Sequence, residues 1–130
     1  MEEKKTDSFS IVKRAKSFTH AGRGILVFLR STHNAWIHLL VLVAAIVLGF
    51  YFHITHLEWT FLVFAGGLVL AAEAFNTAIE IDIDLTSPEY HPYARDTKDV
   101  AAGAVLISAV TAAIVGVLIF GHYFLTLVSQ

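Results

Sequence analysis

The 130-residue sequence predicts an all-α membrane protein, an amphipathic surface helix followed by three membrane-spanning helices. Three observations carry this. The composition is 56% hydrophobic and only 15% charged, well outside the soluble globular average. Asp, Glu, Lys and Arg are absent between Arg30 and Glu58, and again from Val100 to Val128. Seven of the nine Lys and Arg residues fall in the first thirty positions. A chain of this length makes one domain, residues 1–130. Cysteine is absent, which excludes disulfides and thiolate metal sites.

The surface helix is expected over residues 8–30. Apolar Phe9, Val12, Phe18, Ile25 and Phe28 alternate there with Lys13, Arg14, Lys16 and Arg23, the pattern of a helix lying on the inner membrane surface. A disordered basic tail is the alternative. The start has no compact apolar segment followed by a small-residue cleavage site, so a secretory signal peptide is not expected.

The first span covers residues 35–52, "AWIHLLVLVAAIVLGFYF", about 18 residues and near the minimum for a bilayer. The second, residues 59–82, opens on Trp59 and runs into an acidic stretch. The third covers residues 100–125 and is uncharged. Trp36 and Trp59 sit near span ends as interface anchors. Gly66-Gly67 and the Ala109, Ala112, Ala113, Gly116 stripe permit close helix approach. Between spans two and three, Ser87-Pro88-Glu89 reads as the opening of a short helix, with Ser as cap and Pro in the first turn. His53 and His56 read as interfacial histidines rather than a metal pair, since no third ligand is evident.

Basic residues set the orientation. The amino-terminal arm and the loop holding Arg95 and Lys98 are basic, whereas the 53–58 turn and the carboxyl-terminal tail have no Lys or Arg. The positive-inside rule then places the amino terminus and second loop in the cytoplasm, with the first loop and carboxyl terminus outside.

The stretch "AAEAFNTAIEIDIDL", residues 71–85, is the unusual one. With Glu73 at zero on a helix, Asn76 falls near about −60°, Glu80 near −20° and Asp84 near +20°. These four make one polar stripe about 16 Å long, with Asp82 on the opposite side. Intramembrane carboxylates are costly and normally face a bundle interior or a wet cavity. Ending the span before Glu73 would leave only about 14 residues, too few to cross. Such a stripe could serve only interhelical hydrogen bonds. It could also supply a general base and oxygen ligands for Mg²⁺ in phosphoryl transfer to a membrane-embedded alcohol, or a proton relay. No G-x-x-x-x-G-K-[ST] loop is present, and "AGRG" at residues 21–24 is no substitute.

"EAFNTAIEIDID", then "SPEYHPYARDTKDVAAGAVLI", with "NAWIH" at residues 34–38, resembles the prokaryotic diacylglycerol kinase family, including its undecaprenol kinase branch. That resemblance covers residues 73–105 almost without a break and reaches over nearly the whole chain. It implies a homotrimeric kinase of the bacterial cytoplasmic membrane, with sites between subunits. The γ-phosphate of MgATP would move to a lipid alcohol, undecaprenol or diacylglycerol, with no nucleic-acid partner. By motif position it implies Glu73 as the base and Glu80 as the Mg²⁺ ligand, with Asn76 and Asp84 shaping the site. Glu89, Tyr90, His91, Lys98 and Asp99 would contact the nucleotide, as would Lys13 on the surface helix. One departure stands out: Thr32 occupies the position of a second, metal-sharing glutamate. A hydroxyl is a much weaker Mg²⁺ ligand than a carboxylate. A non-catalytic membrane protein that keeps the fold is therefore the alternative function. A proton-linked transporter is disfavoured, because three short spans show no inverted repeat.

Overall fold

A computed structural model describes residues 10–129, so residues 8 and 9 of the expected surface helix lie outside the described residues. The described residues form four helices: α1 (Ile11–Ser31), α2 (His33–Phe52), α3 (His56–Thr86) and α4 (Pro92–Val128). The last three are long and apolar enough to cross a membrane. The all-α architecture with three spans is the one the charge gaps predict.

Each helix starts on a side-chain cap that satisfies an orphan backbone N–H. Ser10 accepts from the Lys13 N–H at 3.4 Å, and Thr32 accepts from that of Asn34 at 3.2 Å. Thr55 and Glu58 form a reciprocal capping box on α3. α2 ends at His53, which takes the left-handed conformation at φ 53° and returns its N–H to the Gly49 and Phe50 carbonyls. His53 is thus a helix terminator, exposed beyond the span.

The loop after α3 departs from expectation. Ser87 closes α3 with its N–H on the Ile83 carbonyl and does not open a helix. α4 begins at Pro92 instead, where His91 is the cap and its Nδ1 accepts the Tyr93 N–H at 3.2 Å. Both prolines sit in Pro-tolerant contexts, but only Pro92 has a cap directly before it and an unbroken helical run after it.

At 1.5 Å per residue, the 31-residue α3 and 37-residue α4 are about 46 and 55 Å long, well beyond the roughly 30 Å hydrocarbon core. Both are therefore longer than one crossing needs, and the end of α3 and the start of α4 lie side by side, joined by the Lys98–Asp84 pair. α3 and α4 pack most extensively, and α2 lies against α3. Their shared core is Ile54, Leu62, Ile119 and Phe120, supported by Phe52, Trp59 and Tyr123. The Tyr123 hydroxyl donates to Glu58 Oε2 at 3.0 Å, tying this end of α4 to the α3 cap. At the joint between α1 and α2, Trp36 Nε1 donates to the Leu29 carbonyl at 2.8 Å. Trp36 thus satisfies one of the open carbonyls at the end of α1, a role its span-end position did not reveal.

Of the glycine pair, only Gly66 meets a neighbouring helix: a Cβ there would lie 2.5 Å from a Leu42 methyl, whereas Gly67 faces open space. Gly49 is the less forgiving site: a Cβ would stand 2.8 Å from the rigid Trp59 ring, whereas the Leu42 methyl at Gly66 is the end of a flexible side chain. Gly49→Ala should destabilise the detergent-solubilised protein by about 1–3 kcal/mol, the cost of overpacking. Thermal melting checks this, with Gly67→Ala as the control that should hold or raise the melting point.

Candidate active site

α3 runs unbroken through the acidic stretch, so the helical spacing of Glu73, Asn76, Glu80 and Asp84 is realised on one element. Burial falls along it. Glu73 is 1% exposed and is the largest fully buried side chain, Asn76 and Thr77 are buried, Glu80 is half-buried and Asp84 is exposed. A stripe that begins buried among helices and ends in water is the arrangement intramembrane carboxylates require.

Near its buried end, the Thr77 hydroxyl donates to the Glu73 carbonyl at 2.9 Å, leaving the Glu73 side chain to α2. The Thr32 hydroxyl donates to Glu73 Oε1 at 3.3 Å. One turn on, Asn76 Nδ2 donates to Glu80 Oε1 at 3.2 Å. Asn76 Oδ1 is buried and has no hydrogen-bond partner among the described residues. Buried polar atoms are normally satisfied, so an orphaned acceptor beside a carboxylate is a place for a donor or a cation.

At the exposed end, the Lys98 ammonium pairs with Asp84 Oδ1, joining α4 to the tip of the stripe. A cleft of 280 Å³ opens there. Six residues that the sequence proposes for the site line it together: Asp84, Glu89, Tyr90, His91, Lys98 and Asp99. Because His91 Nδ1 is occupied by the helix cap, Nε2 is the nitrogen left for a further partner. Lys13 sits in the first turn of α1, exposed, and does not line this cleft. Among the described residues, no three His, Asp or Glu side chains converge where they could hold a metal ion.

Arg95 also lines the cleft, a residue that the sequence offers only as an orientation signal. It pairs with Asp96 at 2.9 Å, approaches Asp99 at 4.0 Å and donates to the Tyr90 hydroxyl at 3.5 Å. Its signal lies in the spacing: a helix beginning at Pro92 puts Arg95, Lys98 and Asp99 on one face at i, i+3 and i+4. A further cleft of 310 Å³ lies between α1 and α3, lined by Arg23, Phe28, Thr77 and Ile81 among others. It reaches the α3 turn next to Glu73.

The comparisons with known proteins meet this geometry. The family model described as prokaryotic diacylglycerol kinase matches residues 19–120, the whole of the stripe and cleft included. The chain belongs to the prokaryotic diacylglycerol kinase family. It is 41% identical over 105 residues to the undecaprenol kinase of Bacillus subtilis, covering 81% of this chain and 85% of that protein. The diacylglycerol kinase of Synechocystis is 38% identical over 77% of this chain and 58% of its own length. That of Helicobacter pylori (strain 26695) is 31% identical over 92% of this chain and 95% of its own. These relatives are named as lipid kinases, and family membership together with the three apolar helices makes this a bacterial membrane protein.

Proposed function

We propose that the chain transfers the γ-phosphate of ATP, as MgATP, to the hydroxyl of a membrane lipid, undecaprenol or diacylglycerol. The observation that carries this reading is a single helix face that runs from a buried carboxylate, Glu73, to a charged cleft holding Lys98. The lipid end of the reaction needs a base in the membrane, and the nucleotide end needs cations in water. The names of the relatives support the kinase reading and lend none to the non-catalytic alternative.

In this mechanism Glu73 takes the proton of the lipid hydroxyl as its oxygen attacks the γ-phosphorus. An O–P bond forms, the bond to the β-phosphate oxygen breaks, and ADP leaves. The cleft between α1 and α3 offers the lipid headgroup a route to Glu73. Lys98, with three N–H donors of which Asp84 takes one, holds the phosphates against the stripe. Glu89, Tyr90, His91 and Asp99 hold the rest of the nucleotide, and Lys13 is a further basic contact from the surface helix.

The donors fit Mg²⁺ in kind. Glu80 offers a carboxylate steadied by Asn76, and the orphaned Asn76 Oδ1 offers a second hard oxygen. Two protein oxygens with the rest supplied by phosphates and water is how Mg²⁺ is commonly held. When bound, the ion neutralises charge developing on the transferred phosphoryl group.

A homotrimer with sites between subunits accords with the surface. The Ala109, Ala112, Ala113 and Gly116 stripe lines an apolar cleft of 500 Å³ between helices rather than packing within the chain. Leu40, Phe64, Leu106 and Val117 stand exposed along the spans. The basic α1 and the Arg95–Lys98 cleft belong on the cytoplasmic side, with the carboxyl terminus outside.

ATP-dependent phosphorylation in detergent micelles, with undecaprenol and diacylglycerol offered separately, tests the proposal. Turnover of neither by pure, assembled protein would sink it. Lys98→Ala should raise the KM for ATP about tenfold or more, the loss of a charge-assisted contact. Its KM for lipid should stay unchanged, and a change confined to the lipid KM would remove Lys98 from the nucleotide.

A further inference from the structure

We infer that Thr32 is a positioning residue for Glu73: its hydroxyl fixes the rotation of the carboxylate and leaves Oε2 as the oxygen that meets the lipid hydroxyl. This rests on the reading of Glu73 as base.

The geometry comes from how one hydroxyl is shared. A Thr hydroxyl has one proton and two lone pairs. The Asn34 N–H points at Thr32 Oγ1, so the oxygen acts as an acceptor there. The proton of Thr32 goes to Glu73 Oε1, the acceptor of the pair. This is the single hydrogen bond that reaches the Glu73 side chain among the described residues. The terminal torsion of a Glu side chain is broad and roughly two-fold, so without a partner the carboxylate would turn through many orientations. With Oε1 held, Oε2 is the free acceptor.

Thr32 is tied in from both sides. It is the break between α1 and α2, at φ −137° and ψ 135°, and caps both helices. Trp36 closes the same joint onto Leu29. The hydroxyl is therefore aimed by a backbone fixed from both sides. Holding a reacting group in its productive orientation is a large source of rate, and it acts on the chemical step rather than on nucleotide binding. A neutral residue in the place of an acid thus keeps a task in the site, through the base rather than through the metal.

Thr32→Val, which keeps the shape and loses the hydroxyl, and Thr32→Ser, which keeps the hydroxyl, are assayed as purified full-length protein with MgATP and each lipid. Thr32→Val should lower kcat about tenfold or more, with the KM for ATP and the half-saturating Mg²⁺ concentration unchanged. Thr32→Ser should restore kcat to within about twofold of the parent. Loss of a helix cap is controlled by Thr55→Val, which removes the α3 cap at the far end of the membrane and should cost stability without kcat. Should Thr32→Val not assemble, Thr32→Ala gives the same comparison. Full kcat in Thr32→Val, or a raised Mg²⁺ requirement with kcat intact at saturation, overturns the positioning role. The two readings fail separately. A fully active Glu73→Gln removes the base and this inference with it, whereas an inactive Glu73→Gln beside a fully active Thr32→Val removes this inference alone.

Discussion

Replacing Glu73 by Gln is expected to abolish phosphoryl transfer while leaving the helices and their assembly intact. Gln has nearly the shape of Glu, and its amide oxygen can still accept the Thr32 hydroxyl, so the contact at the α2 cap survives. The Thr77 bond to the Glu73 backbone carbonyl does not involve the side chain at all. What disappears is the ability to take a proton. A positioned general base contributes about 10²–10⁴-fold, and a drop in kcat of that size is expected. Stability should hold or rise, because a carboxylate at 1% exposure is replaced by a group that costs less to bury. The combination of lost turnover with an unchanged or higher melting temperature separates a catalytic carboxylate from one that only bridges helices. Phosphorylation of each lipid and thermal melting, measured on the same preparation, make the check. Turnover within about threefold of the parent would leave Glu73 as a structural group.

The stripe on α3 was legible because one uninterrupted helix carries it. Where a single period governs, spacing alone puts Glu73, Asn76, Glu80 and Asp84 on a face. The cleft was legible as a set of residues but not as a geometry. Asp84 and Lys98 come together only because α4 starts at Pro92 and runs back along α3, and a capped start at Ser87 looked equally sound from local signals. Least legible was the partner of Glu73. Thr32 lies 41 residues away in sequence, and no periodicity links a residue at a helix break to one deep in the next hairpin. As a sequence feature it registered only as an acid gone missing. The same limit hid Trp36, whose indole looked like a membrane anchor and is bonded to the Leu29 carbonyl. Contacts that cross between elements depend on how helices lie against one another, which composition and spacing do not encode.

Glu80→Gln should produce a loss comparable to that of Glu73→Gln but with a different kinetic signature. Glu80 is half-buried one turn past Asn76, where Asn76 Nδ2 already holds its Oε1. An uncharged amide is a far poorer ligand for a hard divalent cation, and the orphaned Asn76 Oδ1 beside it is a neutral oxygen. In the proposed site, with Thr32 in place of an acid, Glu80 is the carboxylate assigned to the ion. The half-saturating Mg²⁺ concentration should therefore rise at least about tenfold, and kcat should fall by about 10²-fold or more at ordinary Mg²⁺. Raising Mg²⁺ should recover part of the activity, which it cannot do for Glu73→Gln. Asn76→Ala should move the Mg²⁺ titration in the same direction and by less, since it removes a neutral ligand and frees Glu80 to reorient. A Mg²⁺ titration at fixed ATP on the parent and both variants decides the matter. An unchanged half-saturation in Glu80→Gln would take the ion away from α3 and leave the stripe with the proton alone.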